Sequence, residues 1–310
     1  MRRTGEKQRR TPTPSPLISS STVSLRYGRP SGVGAPLIRP LLDWYDRHRR
    51  DLPWRQTPDP YRVLVSEFML QQTQAERVAP RFVAFLDQFP SFAALAAATT
   101  ADVLRAWSGL GYNKRALRLQ AIARAVESQY GGHLPSDVAS LQQLPGIGKY
   151  TAAAIACFAF GAQVATVDTN IRRVLQRTVI GAAGSDATPQ AIWDIAAQVL
   201  PAGRASDWNQ ALMDLGATIC SARAPACVRC PLEALCRYRQ EVREAGTADL
   251  APAPSPARST QRFAGSTRYY RGRVLRVLTA LEPGQELPLP ALGKQIKEDY
   301  AAYDAGWLEG

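Results

Sequence analysis

Apolar residues along this chain recur at every third or fourth position from about Pro36 to Gln240, and alternation at every second position is scarce. LIRPLLDWYDRH, AERVAPRFVAFLDQF, KRALRLQAIARAVESQY and PQAIWDIAAQVL each gather their large apolar side chains on one stripe of a helix. Short connections rich in Pro and Gly, such as PDPY, FPS, YGGHLPSD and LPGIG, punctuate them. The pattern predicts an all-α domain over residues 37–240. Residues 241–258 shift toward Ala, Pro, Ser and Gly, which marks a linker. Residues 259–310 resume the helical period in YYRGRVLRVLTAL and LPALGKQIKEDY, with a further helix begun at WLEG, and predict a small basic helical appendage.

Composition adds little to that outline, and charge adds one feature. The 310 residues exceed the usual single-domain size, which suits one large core plus an appendage. No run approaches the roughly 18 uninterrupted apolar residues of a membrane span. Net charge is +12, and residues 1–36 hold seven Lys or Arg against one Glu. That tail, with its TPTPSPLISSSTVS run, buries too little apolar area to offset ordering entropy and is expected to be disordered. A basic flexible arm of this kind either adds affinity for a polyanion or only solubilises the chain.

Four of the five cysteines, Cys220, Cys227, Cys230 and Cys236, crowd into one short segment, separated by six, two and five residues. The chain is long and no secretory leader is expected, so disulfides are disfavoured and a thiolate metal site is the reading. Zinc and an iron-sulfur cluster both take four thiolates; the uneven spacing leans toward the bulkier cluster. Cys157 sits apart in the apolar run TAAAIACFAF.

Only two histidines occur, His48 and His133, which leaves carboxylates as the acid-base candidates. Glu67 lies in YRVLVSEFMLQQT, where a helix stacks it between Val63 and Leu64 below and Leu70 and Gln71 above, a largely apolar face. An apolar setting disfavours its charged form and raises its pKa toward general-acid range. Asp168, between AQVATV and TNIRRVLQR, reads as a helix N-cap accepting from the amide of Asn170 or Ile171, and such a carboxylate stays ionised. One protonated and one ionised carboxyl group form the pair that cleaves glycosidic bonds through an oxocarbenium-like state. LQQLPGIGKYTAAAIACF predicts a helix ending at Leu144, a tight turn, and a helix beginning near Lys149. There Gly146 and Gly148 bring backbone amides to a helix N-terminus, a site suited to phosphate.

LPGIGKYTA, VDTN about twenty residues later and the closing cysteine run together resemble the helix-hairpin-helix iron-sulfur DNA glycosylase superfamily that includes endonuclease III. LPWR, VSEFMLQQTQ, GLGY and NQALMDLGATIC resemble, within it, adenine DNA glycosylases of the MutY type. The resemblance implies a two-lobed helix-hairpin-helix fold and a 4Fe-4S cluster on the four cysteines. It implies that Glu67 protonates the leaving purine, that Asp168 stabilises the sugar cation, and that Tyr150 and Asn170 orient them. Trp54, Arg55, Leu70 and Gln210 match the adenine pocket, Gln72 and Tyr112 match residues inserted into the DNA stack, and Thr73 and Leu110 match neighbours of the opposing base. Gly146, Gly148 and Lys149 match the phosphate-binding hairpin.

The implied substrate is double-stranded DNA with a mismatched or damaged pair, adenine opposite 8-oxoguanine or guanine. The implied enzyme is a monomer of the bacterial cytoplasm, associated with the nucleoid and with no membrane. Bifunctional relatives place a lysine where this chain has Tyr150, and Lys149 should point about 100° away around the helix, toward phosphate or solvent. Strand cleavage is therefore not expected. Relatives of this type usually carry a Nudix-like reader of 8-oxoguanine, and the residues after the linker show no β-rich pattern for one. Asn113 and Thr169 also depart from the family pattern. Thymine or uracil mismatch glycosylases share the scaffold and the tyrosine, and a non-catalytic iron-sulfur DNA-binding protein is the alternative of another class.

Overall fold

The computed structural model describes residues 34–181, 187–246, 264–282, 284–297 and 299–301. Most of the basic tail, most of the linker and the WLEG segment lie outside them. In chain order the helices are α1 (Gly34–His48), α2 (Pro60–Leu70), α3 (Ala75–Gln88), α4 (Phe92–Ala97), α5 (Thr100–Ala106), α6 (Lys114–Tyr130) and α7 (Val138–Leu141). There follow α8 (Lys149–Phe160), α9 (Thr169–Leu175), α10 (Pro189–Gln198), α11 (Ala205–Thr218), α12 (Arg237–Glu244), α13 (Thr267–Thr279) and α14 (Leu289–Ile296). No strand occurs among the described residues. The all-α expectation holds.

Helix starts follow side-chain chemistry. Asp59 accepts from the Arg62 amide at 2.7 Å and Pro60 takes the first helical position, so α2 begins there. Ser91, Thr99, Asp137 and Thr188 cap α4, α5, α7 and α10 in the same way. Gly131 and Gly161, both left-handed, end α6 and α8.

Two hydrophobic cores divide the molecule. One gathers Tyr61, Phe68, Phe82, Phe85, Trp107, Leu119, Ile122 and Ile155 from α2 to α8. The other joins Leu41 and Tyr45 of α1 to Ile171, Ile192, Trp208 and Leu215 of α9 to α11, with Cys220 and Cys230 packed against it. Residues near both ends of the helical domain thus build one lobe, and the middle of the chain builds the other. Asn209 of α11 ties the lobes: its amide donates to Val164 O at 3.0 Å and its carbonyl accepts from the Thr166 amide at 3.2 Å.

The hairpin differs from expectation in its first arm. α7 is a single turn that ends at Leu141 rather than Leu144. Leu141, Leu144 and Ile147 are all buried, linked by the bonds Leu144 N–H to Leu141 O and Ile147 N–H to Leu144 O, both 3.2 Å. A spacing of three suits successive tight turns as well as a helix, so periodicity alone overextended the arm. After the linker, α13 and α14 pack on each other, and α13 docks against α5, where Arg105 donates to the carbonyls of Thr279 and Leu281.

Candidate active site

Glu67 sits in the last two turns of α2, flanked by buried Leu64, Phe68 and Met69, and is itself only 7 % exposed. Mid-helix, its neighbouring amides are spent on the helix, so the donor it finds is the phenol of Tyr150 on the first turn of α8. Burial pushes its carboxyl up to about 7; the Tyr150 hydrogen bond and the Arg55 charge pull the other way, and the Asp168 charge adds to the rise. Burial also raises the Tyr150 phenol well above its usual value, with the Glu67 and Asp168 charges adding to it, so Tyr150 remains a donor at neutral pH.

Asp168 is the N-cap of α9. One carboxyl oxygen accepts from the Ile171 amide at 2.7 Å, the other from the Asn170 side-chain amide at 2.9 Å. Burial nonetheless raises its pKa, against the pull of these donors and of Arg173. The capping expectation holds; a carboxylate so held is also expected to stay ionised, and here desolvation outweighs the donors and shifts it the other way. Asn170 in turn accepts from Arg173 at 2.9 Å, and Arg173 donates to Gly216 O at 2.6 Å and Cys220 O at 2.7 Å. α9 and α11 approach so closely that a Cβ on Gly216 would lie 2.6 Å from the Asn170 Cβ.

Both carboxyl groups open into one cleft of about 890 Å³ between the lobes, with Trp54, Arg55, Leu70, Gln72, Thr73, Tyr150, Asn170 and Gln210 also on its walls. Leu110, Tyr112, Gly146, Gly148 and Lys149 lie outside that lining. Arg55 is held by a residue that the sequence did not single out. Asp214 of α11, fully buried, accepts a two-pronged bond from Arg55 at 2.7 and 2.9 Å and another from Arg50 at 2.7 Å. The two guanidinium groups keep its carboxyl below the usual range although burial pushes the other way. Gln210 is fixed as well, between the Tyr45 hydroxyl at 3.0 Å and Ser206 at 3.1 Å.

Beside the cleft, Gln72 and Tyr112 occupy the tips of two adjacent loops. They are the positive-φ residues other than glycine among the described residues, at φ 57° and 46°. Such a conformation costs a bulky residue about 1–3 kcal/mol and persists only where surroundings impose it. Both tips are exposed, whereas Leu110, expected beside an opposing base, is 3 % exposed and packs in the core. The Thr73 hydroxyl accepts from buried Arg115 at 3.1 Å. Arg268 of α13 stacks on the Tyr112 ring at 4.5 Å, which brings the appendage to this loop.

Cys220, Cys227, Cys230 and Cys236 line a single pocket closed by Leu215, Ile219, Arg177 and Tyr238, and none of the four is in a disulfide. Burial pushes the Cys230 thiol up to about 12, and its three neighbours add to the rise. Among the described residues no three Cys, His, Asp or Glu side chains converge closely enough for a single metal ion. A π-helical turn, Gln176–Ile180, extends α9 over this pocket, where Arg177 donates to the Cys220 sulfur at 3.4 Å and to Ser221 O at 2.6 Å.

Residues 65–198 match the HhH-GPD superfamily of base excision DNA repair proteins. Over 239 residues the chain is 48% identical to the adenine DNA glycosylase of Mycolicibacterium smegmatis, covering 77% of this chain and 78% of that one. The chain belongs to the adenine DNA glycosylase family. A solved thermostable thymine-DNA glycosylase is similar in structure, with a TM-score of 0.64 and 34% identity over 68% of this chain and 98% of that one. An endonuclease III–DNA covalent intermediate, at 22% identity and a TM-score of 0.58 over 66% of this chain and 97% of that one, shares the fold.

For this adenine DNA glycosylase family member, the side chains at positions 149 and 150 part company. Tyr150 turns inward to Glu67, while the Lys149 ammonium lies 4.3 Å from the Trp193 ring centre and 3.4 Å from the Gln190 carbonyl oxygen. The direction away from the cleft agrees with the helical offset, but its partners are a ring and an amide of α10 rather than open solvent. Asp214, Arg115 and Arg173 escaped the sequence reading. Arg115 did leave a signal: it shares the α6 stripe of Leu119, Ile122 and Val126, where a charge is out of place unless it is bonded inward.

Proposed function

We propose that this DNA N-glycosylase hydrolyses the N-glycosidic bond of adenine opposite 8-oxoguanine or guanine in double-stranded DNA, without cutting the strand. What carries the reading is the pairing of Glu67, its carboxyl raised by burial to about 7, with capped Asp168 across one cleft with ample room for a nucleobase. An adenine extruded from the duplex enters between Trp54, Leu70, Arg55 and Gln210. Protonated Glu67 donates to the purine, and the C1′–N9 bond breaks with its electron pair leaving on the base. Asp168, ionised, stabilises the oxocarbenium-like sugar, and Asn170 and Tyr150 hold the two carboxyl groups in register. Glu67, now a carboxylate, takes a proton from water as it adds to C1′.

Gln72 and Tyr112 fill the gap in the stack, with Thr73 and the Leu110 backbone beside the opposing base. Gly146 and Gly148, with Lys149 nearby, receive a phosphate at the α8 N-terminus. Cys220, Cys227, Cys230 and Cys236 would hold a 4Fe-4S cluster, and their loop bears Arg223, Arg229, Arg237 and Arg239 as partners for phosphates. Monofunctional chemistry follows from Tyr150 at the lysine position and from the distance of Lys149 from the cleft. No helix among the described residues is long and apolar enough to cross a membrane, and we place the enzyme as a monomer in the bacterial cytoplasm on nucleoid DNA.

The second reading, thymine or uracil release, is favoured by the 34% identity to the solved thymine-DNA glycosylase. A base-release panel on duplexes carrying A, T or U opposite 8-oxoguanine and G decides between them. Adenine release is expected, and release of T or U with A untouched would reject the adenine reading. No release of any base would favour a DNA-binding protein without catalysis. Abundant borohydride-trapped adduct through Lys149 would reject the monofunctional step.

A further inference from the structure

The two loop tips with left-handed backbone share one anchor. Arg115, 5 % exposed on the first turn of α6, donates through Nη1 to the carbonyls of Phe68, at 3.1 Å, Met69, at 2.8 Å, and Gln71. Through Nη2 it donates to Thr73 Oγ1 at 3.1 Å, Leu110 O at 3.1 Å and Gly111 O at 3.0 Å. Gln71 from the first set and Thr73 from the second bracket Gln72 on the loop after α2, and the rest of the second set lies on the loop that carries Tyr112. Its guanidinium also faces the rings of Trp107, at 5.4 Å, and Tyr112, at 5.5 Å.

Among the described residues the hydrogen-bond partners of Arg115 are carbonyls and one hydroxyl, with no carboxylate to neutralise it. A buried cation in such a place is costly unless its bonds are needed. α2 ends without a basic residue of its own, so Arg115 supplies from another helix the positive charge that the α2 C-terminus favours. Between residues 70–73 and 109–112 no backbone hydrogen bond is recorded among the described residues, and the guanidinium fork spans them. Lysine has a single donor point and cannot reproduce that span.

We propose that Arg115 is a positioning residue that locks the Gln72 and Tyr112 loops into one rigid wedge, so that the two tips enter DNA as a unit. The proposal rests on the reading that these tips enter the duplex. Its test is a mutant cycle in the full chain. Gln72→Ala, Tyr112→Ala and the double variant are measured with Arg115 present and with Arg115→Lys, using 2-aminopurine fluorescence for base extrusion and single-turnover adenine release.

With Arg115 in place, either alanine is expected to reduce extrusion about tenfold and the second to add little. In Arg115→Lys, extrusion is expected to fall about tenfold, the two tips to act independently, and the pH profile of adenine release to keep its shape because the carboxyl pair is untouched. Native-like melting of Arg115→Lys with unchanged extrusion and unchanged coupling would overturn the proposal alone. Unaltered extrusion in both alanine variants of the Arg115 chain would reject the wedge reading beneath it. Should Arg115→Lys fail to fold, hydrogen exchange on the unmodified chain decides: amides at 70–73 and 109–112 are expected to open at one common rate, and unrelated rates would reject the lock.

Discussion

The two lobes offer the cleft the same functional group in opposite settings. The lobe of α2 to α8 presents Glu67 from mid-helix, where the local amides are already spent and one phenol remains as donor. The lobe of α9 to α11 presents Asp168 from a helix N-terminus, where an unpaired amide, Asn170 and the nearby Arg173 all favour the anion. Burial raises both pKa values, so burial is not what separates them. Position within the helix is: an interior residue meets a backbone without spare donors, an N-cap residue meets one with donors to give. The fold thereby gives one carboxyl group a single donor and the other several, which is the difference the proposed acid and counter-charge roles require.

The most severe break in this comparison is Glu67→Gln, which keeps the shape and removes the proton. Adenine release is expected to fall by about 10³-fold or more, in line with loss of a general acid whose carboxylate is also the base for water. Stability should move the other way, and the sign follows from the shift. The folded carboxyl, at about 7, lies above its ordinary 4.5, so the native state keeps a proton that the unfolded chain has released. Native stability therefore declines as pH rises through that window, at a full cost of order 3 kcal/mol above it. An uncharged amide carries no such cost, and the variant should melt higher than the parent at pH 8 and nearly equally at pH 4. A Glu67→Gln enzyme with normal turnover, or one without the gain at pH 8, would remove the acid from its role.

Asp168→Asn tests the other side. With the anion gone, the oxocarbenium-like sugar loses its counter-charge, and release is expected to drop about 10²- to 10³-fold. Because the Asp168 charge adds to the rise at Glu67, the residual activity should lose its alkaline limb at lower pH than the parent. A loss of rate without that displacement would mean that the two carboxyl groups do not sense each other across the cleft.

The same contrast explains what could be read from sequence. Glu67 was legible because a charge inside an apolar helical stripe is visible in one dimension, and Asp168 because capping is local to a few residues. Asp214 was not, since Arg55 reaches it from 159 residues away and nothing in MDLG names a partner. Arg115 broke an apolar stripe and so left a trace, but its carbonyl partners are backbone atoms, which sequence does not distinguish. The single-turn α7 was overextended because a spacing of three serves a helix and a chain of turns alike. Leu110, matched by motif to the opposing base, turned out to be a core side chain.

Tyr150→Phe sharpens the comparison without removing either carboxyl group. The phenol donates to Glu67 and holds its pKa down, so its loss should raise that pKa further. The alkaline fall of adenine release is expected to move to higher pH, by a few tenths to about one unit, with a modest loss of rate at lower pH where Glu67 is already protonated. A fall that stays in place, or moves to lower pH, would show that Tyr150 orients the substrate or the sugar and leaves the acid alone.

The smallest expected effect lies outside the cleft, where the appendage docks on the Glu67 lobe. Both Arg268 and buried Arg115 face the exposed Tyr112 ring, so one aromatic side chain meets two cations, one fixed in the core and one on α13. An exposed contact of this kind contributes about 0.5–1 kcal/mol. Arg268→Ala is thus expected to weaken DNA binding only about two- to fivefold and to leave single-turnover release at saturating DNA within about twofold. If Arg268 also meets a phosphate, the slope of log affinity against log salt should lessen by about one. An unchanged affinity together with an unchanged slope would reduce the appendage to packing on α5, and the DNA-facing surface of this lobe would then end at Tyr112.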